Sequence, residues 1–350
     1  MKQHLTFAGI LLVLLLVLPI IGAGKFGEPQ KDTAEKPAVT QQAESTSAAA
    51  EKTTEPTTSP AVTEAAESTQ EPEPGNLPAS VSVRRTSSGK VESIPTKEYI
   101  KGVVAGEMSV GNQIEAIKAQ VVASATYAMY RTAVKGAAEL TDTGASDQAY
   151  LSEAQRKAKW GDNFDTYEKT LEKAVDEVYG YILQYEGQPI FAAFHAISSG
   201  TTESAENYWD EKLPYLVSVA SPGDKLAPTY TQTVALTKAE VEKALSDVKG
   251  LKLSSVDADK WFGEPERSEA GTVLKIEVGK GDMTGRELRE ALGLRSANFT
   301  VSYKSGSYTF TTKGYGHGVG MSQYGADFMA RQGSDWKEIL LHYYPGTEIV

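Results

Sequence analysis

The sequence predicts an α+β fold of mixed helices and short antiparallel strands, set behind an N-terminal membrane helix and a disordered linker. Three observations predict it. Strand-like and helix-like periodicities are mixed without the regular strand–helix–strand order of a parallel α/β sheet. These patterns all lie beyond about residue 77. Ahead of them come an apolar run and then a stretch with no aromatic residue between Phe26 and Tyr99.

The apolar run extends from Leu5 to Ala23, with Lys2 and the amino terminus in front. About 18–20 apolar residues suffice to cross roughly 30 Å of hydrocarbon. The positive flank leads the span, which puts the N-terminus in the cytoplasm and the bulk of the chain outside. Gly22, Ala23 and Gly24 also supply the small-residue end that signal cleavage uses. Length favours an uncleaved signal anchor over residues 1–24. Residues 25–78 are rich in Ala, Glu, Thr, Ser, Pro and Gln. Such a segment buries too little apolar surface to offset its conformational entropy, and reads as a disordered linker. A flexible chain of about 50 residues reaches roughly 40 Å. The folded domain then occupies 79–350.

Within it, residues 81–83 and 90–94 flank Ser87-Ser88-Gly89 and read as a hairpin. A short helix follows over 99–107, stopped by Gly111. Ile114, Ile117, Val121, Ala125, Ala128 and Met129 recur at helical spacing, giving a helix to about Arg131. Another helix covers 168–179. Residues 181–185 and 190–194, joined by Glu186-Gly187-Gln188-Pro189, read as paired strands. Further strands lie at 273–278 and 299–303, separated by a short helix over 285–292. A last helix covers 336–343.

The formal net charge is -11 and no long run of Lys or Arg occurs. Phosphate binding needs clustered positive charge, so a nucleic-acid partner is excluded. The chain contains no cysteine, hence no disulfide and no thiolate metal site, and its four histidines are the only nitrogen ligands.

Three segments carry candidate chemistry. Glu107 stands among small and apolar neighbours in Val103-Val104-Ala105-Gly106-Glu107-Met108. Desolvation there would raise its pKa and keep a proton on it near neutral pH. The plainer alternative is a solvated carboxylate or an ion pair with Lys118 or Arg131. The run Gly314-Tyr315-Gly316-His317-Gly318-Val319-Gly320-Met321-Ser322-Gln323-Tyr324-Gly325 clears side chains from one face of an extended segment, so that a ligand or another backbone can lie against it. Its spacing matches no phosphate-binding loop. Finally, His195-Ala196-Ile197-Ser198-Ser199-Gly200 follows an apolar strand and offers small hydroxyls. Its histidine is too close in sequence to serve as the base of a serine triad. Nothing in the spacing of His195, His317 and His342 argues for zinc.

Taken together the chain resembles the SpoIID/LytB domain family from about Ser82 to Ile349. The resemblance rests on Glu98-Tyr99-Ile100-Lys101-Gly102-Val103-Val104-Ala105-Gly106-Glu107-Met108 with Glu115-Ala116-Ile117-Lys118-Ala119-Gln120, and on Ser198-Ser199-Gly200-Thr201-Thr202-Glu203-Ser204 with Asn207-Tyr208-Trp209. Gly285-Arg286-Glu287-Leu288-Arg289, the glycine-rich run and His342-Tyr343-Tyr344-Pro345-Gly346-Thr347 complete it. It implies a lytic transglycosylase of peptidoglycan in sporulation and engulfment, with Glu107 as the catalytic acid and stem-peptide-free glycan as substrate. It implies an amidase/endopeptidase partner of the SpoIIP type and a single-pass place in the cell membrane, with the C-terminal domain outside. The LytB branch implies an alternative, a non-catalytic wall-binding module that enhances an N-acetylmuramoyl-L-alanine amidase. The expected substrate-binding residues are Gln120, Arg131, His195, Ser198, Ser199, Tyr315, His317, Gln323 and Tyr324, with no cofactor and no metal. Given the chain's acidity, recognition is expected through the shape and hydrogen bonding of an uncharged sugar backbone.

Two departures from the family pattern stand out. Where relatives carry Ala-Arg-Thr-Tyr-Ala, this chain has Ala123-Ser124-Ala125-Thr126-Tyr127-Ala128, and Arg131 is the nearby substitute. Where some relatives carry zinc-binding cysteines, it has Asp147-Gln148-Ala149-Tyr150.

Overall fold

The computed structural model describes residue 75 and residues 77–350. The expected membrane helix and nearly all of the expected linker lie outside the described residues. Among the described residues, no helix is long and apolar enough to cross a membrane.

The hairpin forms as expected, Ser80–Arg84 pairing antiparallel with Val91–Pro95. It leads directly into helix α1, Thr96–Glu107, three residues earlier than the apolar pattern indicated. Helix α2, Ile114–Met129, is buried from Ala116 to Met129 except at Lys118. A helix apolar on all sides belongs in the middle of a core. Its run of Ala and Ser lets neighbours approach closely, and it passes into a π-turn over Tyr130–Val134.

Helix α3, Glu153–Trp160, escapes periodicity because only Arg156 of it is buried; a capping box between Ser152 and Gln155 starts it instead. Arg156 reaches Glu98 at 2.8 Å and Glu168 at 2.7 Å, tying α3 to α1 and to α4, Phe164–Val178. Helix α4 buries Leu171, Ala174, Val175 and Val178, the i, i+3, i+4, i+7 stripe of an amphipathic helix. A short helix α5, Ala205–Trp209, follows.

The strand pairing expected between 181–185 and 190–194 is corrected. Glu186 and Gly187 both take positive φ, 51° and 74°, as a two-residue hairpin turn requires. The turn is therefore shorter than the four residues read from sequence. Leu183–Tyr185 pairs with Gln188–Pro189, and Glu348–Ile349 takes its other edge. The chain beyond Pro189 leaves that sheet, and Phe194–His195 pairs in parallel with Met321–Ser322. Leu140–Thr141 likewise pairs in parallel with the first strand. The strands are thus not all antiparallel, as the sequence reading had them.

A second hydrophobic core is built around Trp261, Leu288, Tyr308 and Phe310. It is wrapped by a three-stranded antiparallel sheet, Phe299–Lys304, Ser307–Lys313 and Thr231–Thr237, and by the hairpin of Val273–Val278 with Gly281–Met283. Helices α6, Lys238–Ala244, and α7, Gly285–Leu292, pack against it. Helices α8, Gln323–Arg331, and α9, Trp336–Tyr343, return to the first core and flank α2.

Gly102 and Gly106, one turn apart on α1, let residues 149–151 lie directly on the helix. A Cβ on Gly102 would stand 2.6 Å from the Leu151 carbonyl oxygen, and one on Gly106 would stand 2.5 Å from that of Ala149. Backbone cannot retreat as a flexible side chain can. Gly102→Ala is therefore expected to destabilise the fold by about 1–3 kcal/mol, the usual cost of overpacking; an unchanged urea midpoint would show that the loop yields freely.

Candidate active site

Helix α1 delivers Glu107 as its last residue, at the end where the helix dipole opposes a carboxylate. The side chain is half-buried. Its carboxyl is held above the ordinary glutamate range by desolvation, against which a backbone hydrogen bond pulls only partly. That bond is donated by the Ala149 amide to Oε1 at 2.5 Å. A carboxyl so placed keeps its proton to higher pH than a solvated one. Neither of the plainer alternatives, free solvation or an ion pair with Lys118 or Arg131, describes it: Lys118 pairs with Glu115 and Glu177, and Arg131 with Asp147.

Glu107 opens into a cleft of about 600 Å³. Arg131, His195, Tyr315, His317 and Gln323 line the same cleft, so five of the nine expected substrate contacts converge on the acid. The π-turn after α2 aims Arg131 there, and its guanidinium meets Asp147 at 3.0 Å. His195 is buried and pushed down to about 4 by desolvation. Its Nδ1 faces the Val319 carbonyl at 3.1 Å, so the neutral ring donates there and leaves Nε2 as an acceptor. His317 is also driven well below its usual range by desolvation. Its Nδ1 accepts the Val319 amide at 3.0 Å, and its ring packs 4.9 Å from that of Trp209. Arg131 Nε, Gln148 Oε1 and His195 Nε2 are buried in these walls without a hydrogen-bond partner among the described residues. Each such atom costs about 1–3 kcal/mol unless a ligand or water satisfies it.

The other four expected contacts lie elsewhere. Gln120 is fully buried, its Oε1 accepting from Gln323 Nε2 at 3.2 Å and its own Nε2 donating to Ser124 Oγ at 3.1 Å. It positions Gln323 instead of lining the cleft. Ser198 and Ser199 build a turn: the Ser198 amide donates to buried Asp224 at 2.8 Å, and Ser199 Oγ donates to the Ala270 carbonyl at 2.6 Å. Tyr324 points away, its hydroxyl on the Leu226 carbonyl at 3.3 Å.

The glycine-rich run does not offer a bare face to a ligand; it lies against another stretch of backbone. A Cβ on Gly316 would come 2.8 Å from that of His195, and one on Gly320 would come 2.0 Å from the Ala193 carbonyl oxygen. Both glycines have positive φ, 115° and 71°. The run is a close-fitting splice that carries Tyr315 and His317 outward.

Sequence reasoning missed Arg289, Asp147, Gln148, Tyr127, Phe191 and Trp209, all of which line the cleft. Most stood within the quoted family segments, but their convergence on one cleft is set by the fold and not by any local spacing. Ala125, at the position of the relatives' arginine, is buried in α2. The histidines do not converge as a trio, since His342 Nε2 is taken up by the Ala220 carbonyl at 2.8 Å. Nor does the Asp147 region fit zinc: both Asp147 oxygens are engaged, by Thr141 and by Arg131, and no group of three ligating side chains forms among the described residues.

A second cleft of about 440 Å³, between residues 106–111 and Lys159, Trp160 and Tyr167, is also lined by Glu107. Lys159 Nζ donates to the Ala105 carbonyl at 2.8 Å, closing the end of α1.

The SpoIID family model, "Stage II sporulation protein", matches residues 84–185, which include Glu107 and the Ala149 loop. Stage II sporulation protein D of Bacillus subtilis (strain 168) is 41% identical over 278 residues, 78% of this chain and 79% of that one. The chain belongs to the SpoIID family. The protein of the same name from Bacillus amyloliquefaciens is 41% identical over 80% of this chain and 81% of its own. The "Amidase enhancer" of Bacillus subtilis (strain 168) is 30% identical over 71% of this chain, but over only 40% of its own length.

Burial of Glu107 has a measurable consequence for stability. Its folded pKa is raised, so its favourable contribution is fully present below the ordinary value of 4.5 and is lost as pH rises through the folded value. Glu107→Gln keeps an acceptor for the Ala149 amide without the charge. The variant should match the native chain near pH 4 and exceed it in urea midpoint near pH 8. A gap that stays constant across this range would mean that the carboxyl is solvated.

Proposed function

We propose that this chain is a lytic transglycosylase of peptidoglycan, cutting between N-acetylmuramic acid and N-acetylglucosamine in stem-peptide-free strands during sporulation and engulfment. The observation that carries this reading is one desolvated carboxylic acid at the meeting point of two clefts. A strand can pass on both sides of it, with the scissile bond at Glu107.

In this mechanism Glu107 starts protonated and gives its proton to the bridging oxygen. The bond from C1 of the muramoyl unit to that oxygen breaks, and the glucosaminyl end leaves as an alcohol. The muramoyl 6-hydroxyl then attacks C1 from within the same ring, and its proton goes to the Glu107 carboxylate. The product is a 1,6-anhydro end, and the acid is restored with no water consumed. Hydrolysis by paired carboxylates would need a second one free to act, about 5–9.5 Å away. Asp147, the other carboxylate on the cleft wall, is already bound to Arg131 and to the Thr141 amide, 3.0 and 2.8 Å away. That supports the single-acid route.

The N-terminal apolar segment would tether the domain outside the cytoplasmic membrane, and an amidase of the SpoIIP type would supply the stripped strands. The "Amidase enhancer" relative favours one alternative, a non-catalytic module that binds wall and stimulates an amidase.

Digestion of stem-free glycan, read by mass spectrometry, separates the two. The native chain should release anhydro-muramoyl ends, Glu107→Gln should slow this by about a hundredfold or more, and the rate should fall as pH rises through the Glu107 pKa. Amidase stimulation that survives the substitution, with no anhydro product from either protein, would establish the alternative.

A further inference from the structure

The charges on the cleft wall do not balance. Arg131 is matched by Asp147 at 3.0 Å. His195 and His317 are neutral, and Glu107 is biased toward its neutral form. That leaves Arg289, projecting from α7 into the cleft. One of its five donors is used, Nη1 to the Tyr208 hydroxyl at 2.8 Å. It has no carboxylate partner among the described residues, whereas Arg286 on the same helix is paired with Glu290 at 3.0 Å. Its charge is felt by both histidines of the wall. In a chain of net charge -11, an unmatched guanidinium inside the cleft calls for an anionic ligand.

The substrate reading supplies one. An intact stem peptide is joined to muramic acid as an amide of its lactyl group. Cutting that amide leaves a free lactyl carboxylate on every muramoyl unit. The stem-free strand is therefore an anion, not the uncharged backbone expected from composition. We propose that Arg289 binds the lactyl carboxylate of a muramoyl unit and so makes the cleft selective for strands whose stems have been removed. This rests on the glycan reading above, and it gives that reading a residue for specificity. An intact stem would present Arg289 with an amide carbonyl and would have to fit its peptide against the wall formed by Trp209 and His317.

The test is binding, so that it stands apart from cleavage. The full chain carrying Glu107→Gln is titrated calorimetrically with stem-free glycan oligomers, and with the same oligomers after conversion of their lactyl carboxylates to carboxamides. The carboxylate form should bind about tenfold more tightly, as expected for a charge-assisted pair. Adding Arg289→Gln should erase that preference, so that the two oligomers bind alike. Adding Tyr208→Phe, which releases the same guanidinium hydrogen bond but keeps the charge, should retain the preference. Equal binding of the two oligomers by the parent, or a preference that persists in Arg289→Gln, would overturn the assignment. Should Arg289→Gln fail to fold, Arg289→Lys, which keeps the charge but loses the two-pronged fork, takes its place: a narrowed preference supports the assignment and an unchanged one overturns it. If neither oligomer binds, the glycan reading falls and this assignment with it.

Discussion

The hydrogen bond from the Ala149 amide to the Glu107 carboxyl is the contact around which the rest of the cleft is arranged. It requires a loop to lie flat on the end of α1, which only the two glycines of that helix permit. The loop is then fastened on both sides. Asp147 holds the Thr141 amide and hydroxyl at 2.8 and 2.9 Å and meets Arg131, while Tyr150 stacks on Tyr99 with ring centroids 5.7 Å apart. The same packing that supplies the hydrogen bond also strips water from the carboxyl. These two effects oppose each other on the proton affinity of Glu107, and desolvation is the larger. The outcome is a firmly held acid that keeps its proton to higher pH than a solvated glutamate.

The opposite wall is organised by backbone rather than by side chains. The parallel pairing of Phe194–His195 with Met321–Ser322 brings two segments far apart in sequence into register. The glycine-rich run presses against its neighbour so closely that His195 and His317 come to 5.6 Å, ring to ring. Both rings lose their charge to burial. Polar atoms without charge suit the proposed task of orienting sugar hydroxyls.

Much of the frame was legible in the sequence, because its long helices announce themselves by spacing. The stripe on α2, the strands at 273–278 and the helix over 285–292 needed no tertiary knowledge. Short polar elements were not legible; α3 buries one residue and is held by the Arg156 ion pairs, whose partners lie 12 and 58 positions away. The two-residue turn at Glu186-Gly187 was misread because the proline that follows resembles part of a loop. In the site, Glu107 could be picked out from its apolar surroundings, and Tyr315 and His317 from their odd glycine context. Gln120 could not be told from a surface glutamine, although it is the buried prop of Gln323. Arg289 stood in a family motif but could not be told from Arg286 beside it, for what sets it apart is having no acid partner among the described residues, and that is a property of three-dimensional neighbourhood.

The acid stands on helices of the first core, whereas α7, which bears Arg289, is seated by Leu288 and Leu292 in the second. The proposed acid and the proposed selectivity residue therefore rest on different cores. On the proposed reading, substitutions that reshape the second core would shift which polymer is accepted while leaving Glu107 undisturbed. A lineage could in this way exchange one preference for another without rebuilding its chemistry.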